Sequence, residues 1–180
     1  MTTFIALFRG INVGGRNLLP MRELVAILES VGLKDVQTYI QSGNAVFRSK
    51  STDVSRLTKK IRAAIGRARG FEPNLVSLGL DELQQAIDSN PFPEAAAEPK
   101  KLHLWFLAAV PPNPDMAGIE SIKSQRERFA LRDRILYLHA PDDIGRSKLA
   151  ARLEKLLGVS ATARNWRTVL KVAEMAKLPS

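Results

Sequence analysis

The feature of this chain that most constrains its fold is the order in which strand-like and helix-like apolar runs follow one another. Phe4-Ile5-Ala6-Leu7-Phe8 lies in a continuous apolar run, residues 3–8, that ends in a glycine-bearing loop, as a central strand would. Pro20 stands where the first residue of a helix belongs. Met21, Leu24, Val25 and Leu28 follow at helical spacing, and Gly32 marks the stop. Residues 35–41 alternate, with Val36, Thr38 and Ile40 opposing Gln37, Tyr39 and Gln41. Ser42-Gly43 reads as a two-residue turn, and Asn44 to Arg48 returns as the partner strand. Thr52-Asp53 offers a cap to a helix whose apolar positions are Val54, Leu57, Ile61, Ala64, Ile65 and Ala68, and Phe71 to Leu78 closes the half as a fourth strand.

The same order begins again after a short helix, Asp81 to Ser89, and a Pro/Ala-rich linker, Pro91 to Pro99. Lys101 to Val110 reads as a strand and a short helix follows. Glu127 to Leu131 then pairs with Arg134 to His139 across Arg132-Asp133. Leu149, Leu153, Leu156 and Leu157 mark a helix that Gly158 ends. In place of a last strand, this half is expected to carry a further helix, Asn165 to Lys177. The two halves share element order without evident sequence identity. The expected fold is therefore α+β: two ferredoxin-like βαββαβ halves with antiparallel sheets and helices on one face, plus a C-terminal helix. The expected division is a first half over 1–80, a helix and linker over 81–100, and a second half over 101–180.

This plan has a functional consequence. Its first and second strands run parallel with the third antiparallel between them. The loop after strand one (9–17) and the turn at 41–44 must then lie at the same end of the sheet.

Composition narrows the chemistry. The chain has no cysteine, which removes thiol nucleophiles, zinc–thiolate sites and disulfides and fits a reducing, cytoplasmic compartment. Leu104 to Val110, the longest candidate apolar run, falls far short of the ~20 residues of a membrane helix. Phe4 to Phe8 is too short for a signal peptide, so a soluble protein with no membrane partner is expected. Lysine and arginine number 27 against 18 acidic residues, a net charge of +9 that attracts phosphate-bearing small molecules or nucleic acid. Part of that charge, Arg56, Lys59, Lys60, Arg62, Arg67 and Arg69, also reads as the solvated face of one amphipathic helix.

Four motifs stand out. Arg9-Gly10-Ile11-Asn12-Val13-Gly14-Gly15-Arg16-Asn17 joins a strand to a helix. Its Gly14 and Gly15 amides with Arg9, Asn12 and Arg16 would suit an anion, although a tight connection explains the glycines too. It lacks the ending of a P-loop and the spacing of a dinucleotide fingerprint. Gln41-Ser42-Gly43-Asn44 is first a hairpin turn, whose Gln41, Ser42 and Asn44 would add hydrogen bonds to a shared oxyanion site. Gly145-Arg146-Ser147-Lys148 opens a helix, where Ser147 caps it or the backbone amides, with Arg146 and Lys148, hold a phosphate; Ser147, Lys148, Arg164 and Asn165 are the secondary candidates. Thr162-Ala163-Arg164-Asn165-Trp166 leads into the last helix, with Thr162 or Asn165 as cap, Trp166 as core anchor and Arg164 unassigned. The two histidines, His103 and His139, fall on strands. His139-Ala140-Pro141-Asp142-Asp143 is too compact for a usual metal site, so neither metal nor cofactor is expected.

Leu7 to Gly15, Tyr39 to Asn44 with Phe47, Ser147-Lys148-Leu149, and Thr162 to Trp166 with Thr168-Val169 together resemble the bacterial DUF1697 family in motif order and spacing. The stretch from Lys50 to Ser124 carries little of the likeness. The resemblance implies a duplicated ferredoxin-like arrangement and no activity, cofactor or catalytic residue. Three functional readings follow from the residues: a binder of a phosphate-bearing ligand at the joined loops, an acylphosphatase-like phosphohydrolase in which Asn44 orients water, and a module that binds nucleic acid through its basic helices. An RNA-recognition sheet would require Phe4, Phe8 and Phe47 to be exposed.

Overall fold

The computed structural model describes residues 1–178 and divides into two compact units, Met1–Gln85 with the chain from Lys171 onward, and Ala86–Leu170. In the first unit the elements are β1 (Thr2–Arg9), α1 (Met21–Ser30), β2 (Lys34–Tyr39), β3 (Asn44–Ser49), α2 (Val54–Arg69) and β4 (Asn74–Gly79), followed by α3 (Leu80–Asp88). The sheet order is β2-β3-β1-β4 with every neighbour antiparallel, so β1 and β2 run parallel with β3 between them. This is the βαββαβ plan.

The period-two pattern decides which side chains meet. Phe4 pairs with Phe47, Ala6 with Ala45 and Phe8 with Leu75, which puts all six on one face. They form a core with Leu24 and Leu28 of α1 and with Leu57, Ile61 and Ile65 of α2. The Phe4 and Phe47 rings stack at 6.1 Å. The aromatics that an RNA-recognition sheet would present are therefore buried beneath the unit's own helices, which closes that mode. Asp53 caps α2 by accepting the Arg56 N–H at 2.9 Å, and Gly70 ends it in the left-handed region. Pro20 proves to be the residue before α1 rather than its first residue.

The second unit repeats the plan with β5 (Leu102–Leu107), α4 (Met116–Ile122), β6 (Arg128–Arg132), β7 (Ile135–His139), α5 (Lys148–Leu157) and β8 (Ala161–Asn165), in the order β6-β7-β5-β8. Trp105, Leu107, Leu136, Leu138 and Ala161 face Ile119 of α4 and Leu149, Leu153 and Leu157 of α5. On the other face of β7 the Tyr137 hydroxyl donates to the Ala86 carbonyl at 2.7 Å. The last helix, α6 (Trp166–Lys177), follows β8 directly.

Two expectations need correcting. The second half does have its fourth strand: β8 pairs with β5 from His103↔Asn165 to Leu107↔Ala161. Its residues Ala-Thr-Ala-Arg-Asn lack the large apolar alternation that betrays a strand, and edge pairing supplies the stability instead. In the first half the turn spans residues 40–43, and Ile40 leaves the strand with φ +51. No helix among the described residues is long and apolar enough to cross a membrane.

Candidate functional site

The loop after β1 folds back as a miniature hairpin. The Asn12 N–H donates to the Asn17 carbonyl at 3.1 Å and the Arg16 N–H to the Val13 carbonyl at 3.0 Å. Gly14 and Gly15 sit between them at φ +57 and +72, and positive φ at both central residues is what a twisted two-residue turn requires. That requirement accounts for both glycines without a ligand. Asn12 and Asn17 also take positive φ, a region asparagine tolerates better than most residues.

The Asn12 side chain ties this hairpin to its surroundings. Its Nδ2 donates to the Leu19 carbonyl at 2.8 Å and to the Gln41 carbonyl at 3.0 Å, while its Oδ1 accepts the Leu19 N–H at 2.7 Å. The amide has two donor hydrogens, and both are engaged. A second tie runs from the Phe8 N–H to the Gly43 carbonyl at 2.8 Å. Gly43 lies at φ +82, and a Cβ there would fall 2.5 Å from Ile11 Cδ1 and 2.7 Å from Phe8 Cβ. The two loops that the topology placed at one end of the sheet are thus joined by hydrogen bonds and by a close backbone approach.

The expected residues divide within this arrangement. Arg9, Arg16, Gln41 and Ser42 are exposed. Asn44 is 1 % exposed and donates from Nδ2 to the Tyr39 carbonyl at 2.9 Å, closing the turn. Asn12 and Asn44 are therefore parts of the frame. Along the two joined segments the charge has one sign: residues 9–22 contain three arginines and no carboxylate, and residues 36–47 contain no charged side chain. The next acid along the chain, Glu23, pairs with Arg69 at 2.8 Å, and Arg69 also donates to the Leu18 carbonyl at 2.9 Å. Neither loop carries a histidine or carboxylate that would serve as a general base.

Sequence reasoning missed three side chains here. Val13, Leu18 and Ile40 are 63 %, 55 % and 48 % exposed, and each is the chain neighbour of a residue joined by the Asn12 side chain. For Val13 the available signal is its position in a glycine-bearing loop; Ile40 reads by sequence as a strand residue.

The secondary candidates take structural roles. Ser147 caps α5 by accepting the Ala150 N–H at 3.0 Å. A cavity of about 390 Å³ opens beside it, lined by Lys148, Arg146 and Ser147 and also by Glu127, Asp142 and Asp143. These carboxylates offset the two cations, so the lining is mixed in sign. Glu127 accepts the Ser124 N–H at 2.8 Å, Asp142 pairs with Arg126, and Asp143 accepts the Gly145 N–H at 3.0 Å. Asn165 caps α6, accepting the Thr168 N–H at 2.9 Å. Arg164 donates to Thr162 Oγ1 at 3.0 Å and to the Ala163 carbonyl at 2.8 Å, and burial pushes its guanidinium down to about 10.

His103 is buried on β5 beside Trp105, with ring centroids 6.0 Å apart. Burial pushes its imidazolium down to about 4, against the opposing pull of the Lys101 backbone and Asp143. His139 is likewise held below the ordinary histidine range by burial and by the Arg128 guanidinium, whose nitrogen lies 3.2 Å from its Nδ1. Among the described residues no group of three His, Asp or Glu side chains is placed to hold a metal ion.

The model of the family described as "Protein of unknown function (DUF1697)" matches residues 1–137, and the chain belongs to that family. No curated protein matches it. Among solved structures the chain is similar to the conserved bacterial protein SP0830 from Streptococcus pneumoniae, at 25 % identity and a TM-score of 0.76, over 98 % of this chain and 99 % of that one.

Proposed function

We propose that this cytosolic protein binds an anionic, phosphate-bearing ligand, a nucleotide or a nucleic-acid backbone, at the joined loops of its first unit, and that it does so without catalysis. The observation that carries this reading is the Asn12 clamp. It fixes an arginine-bearing hairpin against the β2–β3 turn, and Arg9, Arg16, Gln41 and Ser42 in these joined segments are all exposed. A guanidinium offers paired donors in a fixed fork that suits phosphate oxygens, and a prearranged loop lowers the ordering cost of binding. The net charge of +9 adds long-range attraction.

A phosphohydrolase needs a group to orient or deprotonate the attacking water. The asparagine best placed by fold position, Asn44, is buried with its amide on Tyr39. That favours binding over turnover. The test is a titration of the protein with phosphate-bearing probes, comparing the native chain with Arg9→Ala/Arg16→Ala. The double substitution should remove most of the affinity while the protein still folds, shown by a cooperative melting transition. Undiminished affinity in the folded variant would exclude this surface.

A further inference from the structure

Resting on that reading, we infer that the ligand of the joined loops is single-stranded nucleic acid, its phosphates taken by Arg9 and Arg16 and its unpaired bases by the exposed aliphatic side chains of Val13, Leu18 and Ile40. The two kinds of group lie in the two joined loops and at their borders. Val13 and Arg16 close the hairpin turn on each other through the 3.0 Å backbone bond. Asn12, next to Val13, is bonded to Leu19, next to Leu18, and to Gln41, next to Ile40. The clamp thus holds the backbone beside all three aliphatic side chains in one place.

Three large aliphatic groups, each about half exposed or more, are an unusual investment for a surface meant to meet phosphate alone. Inorganic phosphate or a duplex backbone presents oxygen and no apolar face. A single strand presents both, because its bases are unstacked and offer flat apolar surface within a nucleotide's reach of a phosphate. Charge favours nucleic acid over an apolar peptide of mixed sequence: the region holds arginines without carboxylates across residues 9–22. No base is read by sequence in this arrangement, since aliphatic contact distinguishes apolar faces from water and not one base from another.

The experiment compares affinities for a single-stranded oligonucleotide (RNA and DNA), a duplex of the same length and inorganic polyphosphate, using the native chain, Arg9→Ala/Arg16→Ala and Val13→Ser/Ile40→Ser. The expected result is tightest binding of the single strand. The serine variant should lose it roughly fivefold, less than aromatic stacking would give, while polyphosphate affinity holds within about twofold. Both serine positions are exposed, so an unchanged melting temperature certifies the fold. Equal binding of all three probes, with no effect of the serine substitutions, overturns this inference while the arginine-based reading stands. Failure of all three probes overturns both. An acidic peptide is titrated alongside as a fourth probe, and tighter binding of it than of any oligonucleotide also overturns the inference, with a protein partner in its place.

Discussion

Asn12 donates a hydrogen bond to the carbonyl oxygen of Gln41 at 3.0 Å, across 29 positions of sequence, and so joins the loop after β1 to the β2–β3 turn. Its other donor and its acceptor are spent on Leu19. One side chain therefore satisfies three backbone groups, each of which would otherwise need a partner of its own.

Asn12→Ala removes all three bonds and also places alanine at φ +54. The expected cost is about 2–3 kcal/mol, combining lost hydrogen bonds with backbone strain. Urea unfolding measures it. The same variant should bind phosphate-bearing probes more weakly than its stability loss alone implies, because the hairpin is no longer held.

Gly43→Ala is expected to cost more than a simple turn substitution. The added methyl would overlap Ile11 and Phe8, both in the core, and the residue would be held at φ +82. A loss of roughly 3 kcal/mol is predicted, visible as a lowered unfolding midpoint. Gly14→Ala differs in kind: it too sits at positive φ, but a Cβ there meets open space, so strain alone remains and about 1 kcal/mol is expected.

Stability should depend on pH through His103. Its folded value of about 4 lies below the ordinary 6.5, so between these values the unfolded chain binds the proton and the folded chain does not. The contribution is complete above pH 6.5 and is lost as pH falls toward about 4. The difference amounts to about 2 kcal/mol between roughly pH 7 and pH 4.5. The diagnostic is the difference between the native chain and His103→Leu, in which every other group is shared. The variant should lose about 2 kcal/mol less over that span, and an identical pH profile would contradict the assignment.

Ser147→Ala should lower stability by about 1 kcal/mol through loss of the α5 cap. Affinity for phosphate-bearing probes should stay unchanged. A large affinity loss there would move the site to the second unit.

Much of this was legible in the chain. The alternation of apolar runs and turn residues carries the element order of the first half, and of the second up to its last strand, and that order alone places 9–17 beside 41–44. What stayed hidden depended on tertiary pairing. β8 carries small and polar residues whose strand state comes from the neighbouring β5. The glycine pair at 14–15 fits an anion-cradling loop and a hairpin turn equally well by sequence, and the Arg16–Val13 backbone bond shows that the hairpin turn is present. Asn44 looked like an available polar group because burial is a property of the packed sheet, not of the turn it begins. The exposed aliphatic trio was hidden for the converse reason, since apolar residues at a loop are ordinarily assigned to the core.

The most direct test of the central claim is the salt dependence of single-stranded oligonucleotide affinity for the native chain and for Arg9→Ala/Arg16→Ala. Two phosphate contacts removed should make the slope of log K against log salt shallower by about 1.4, with weaker binding at low salt. Identical slopes and affinities in a folded variant would contradict the claim that these two arginines hold the ligand's phosphates.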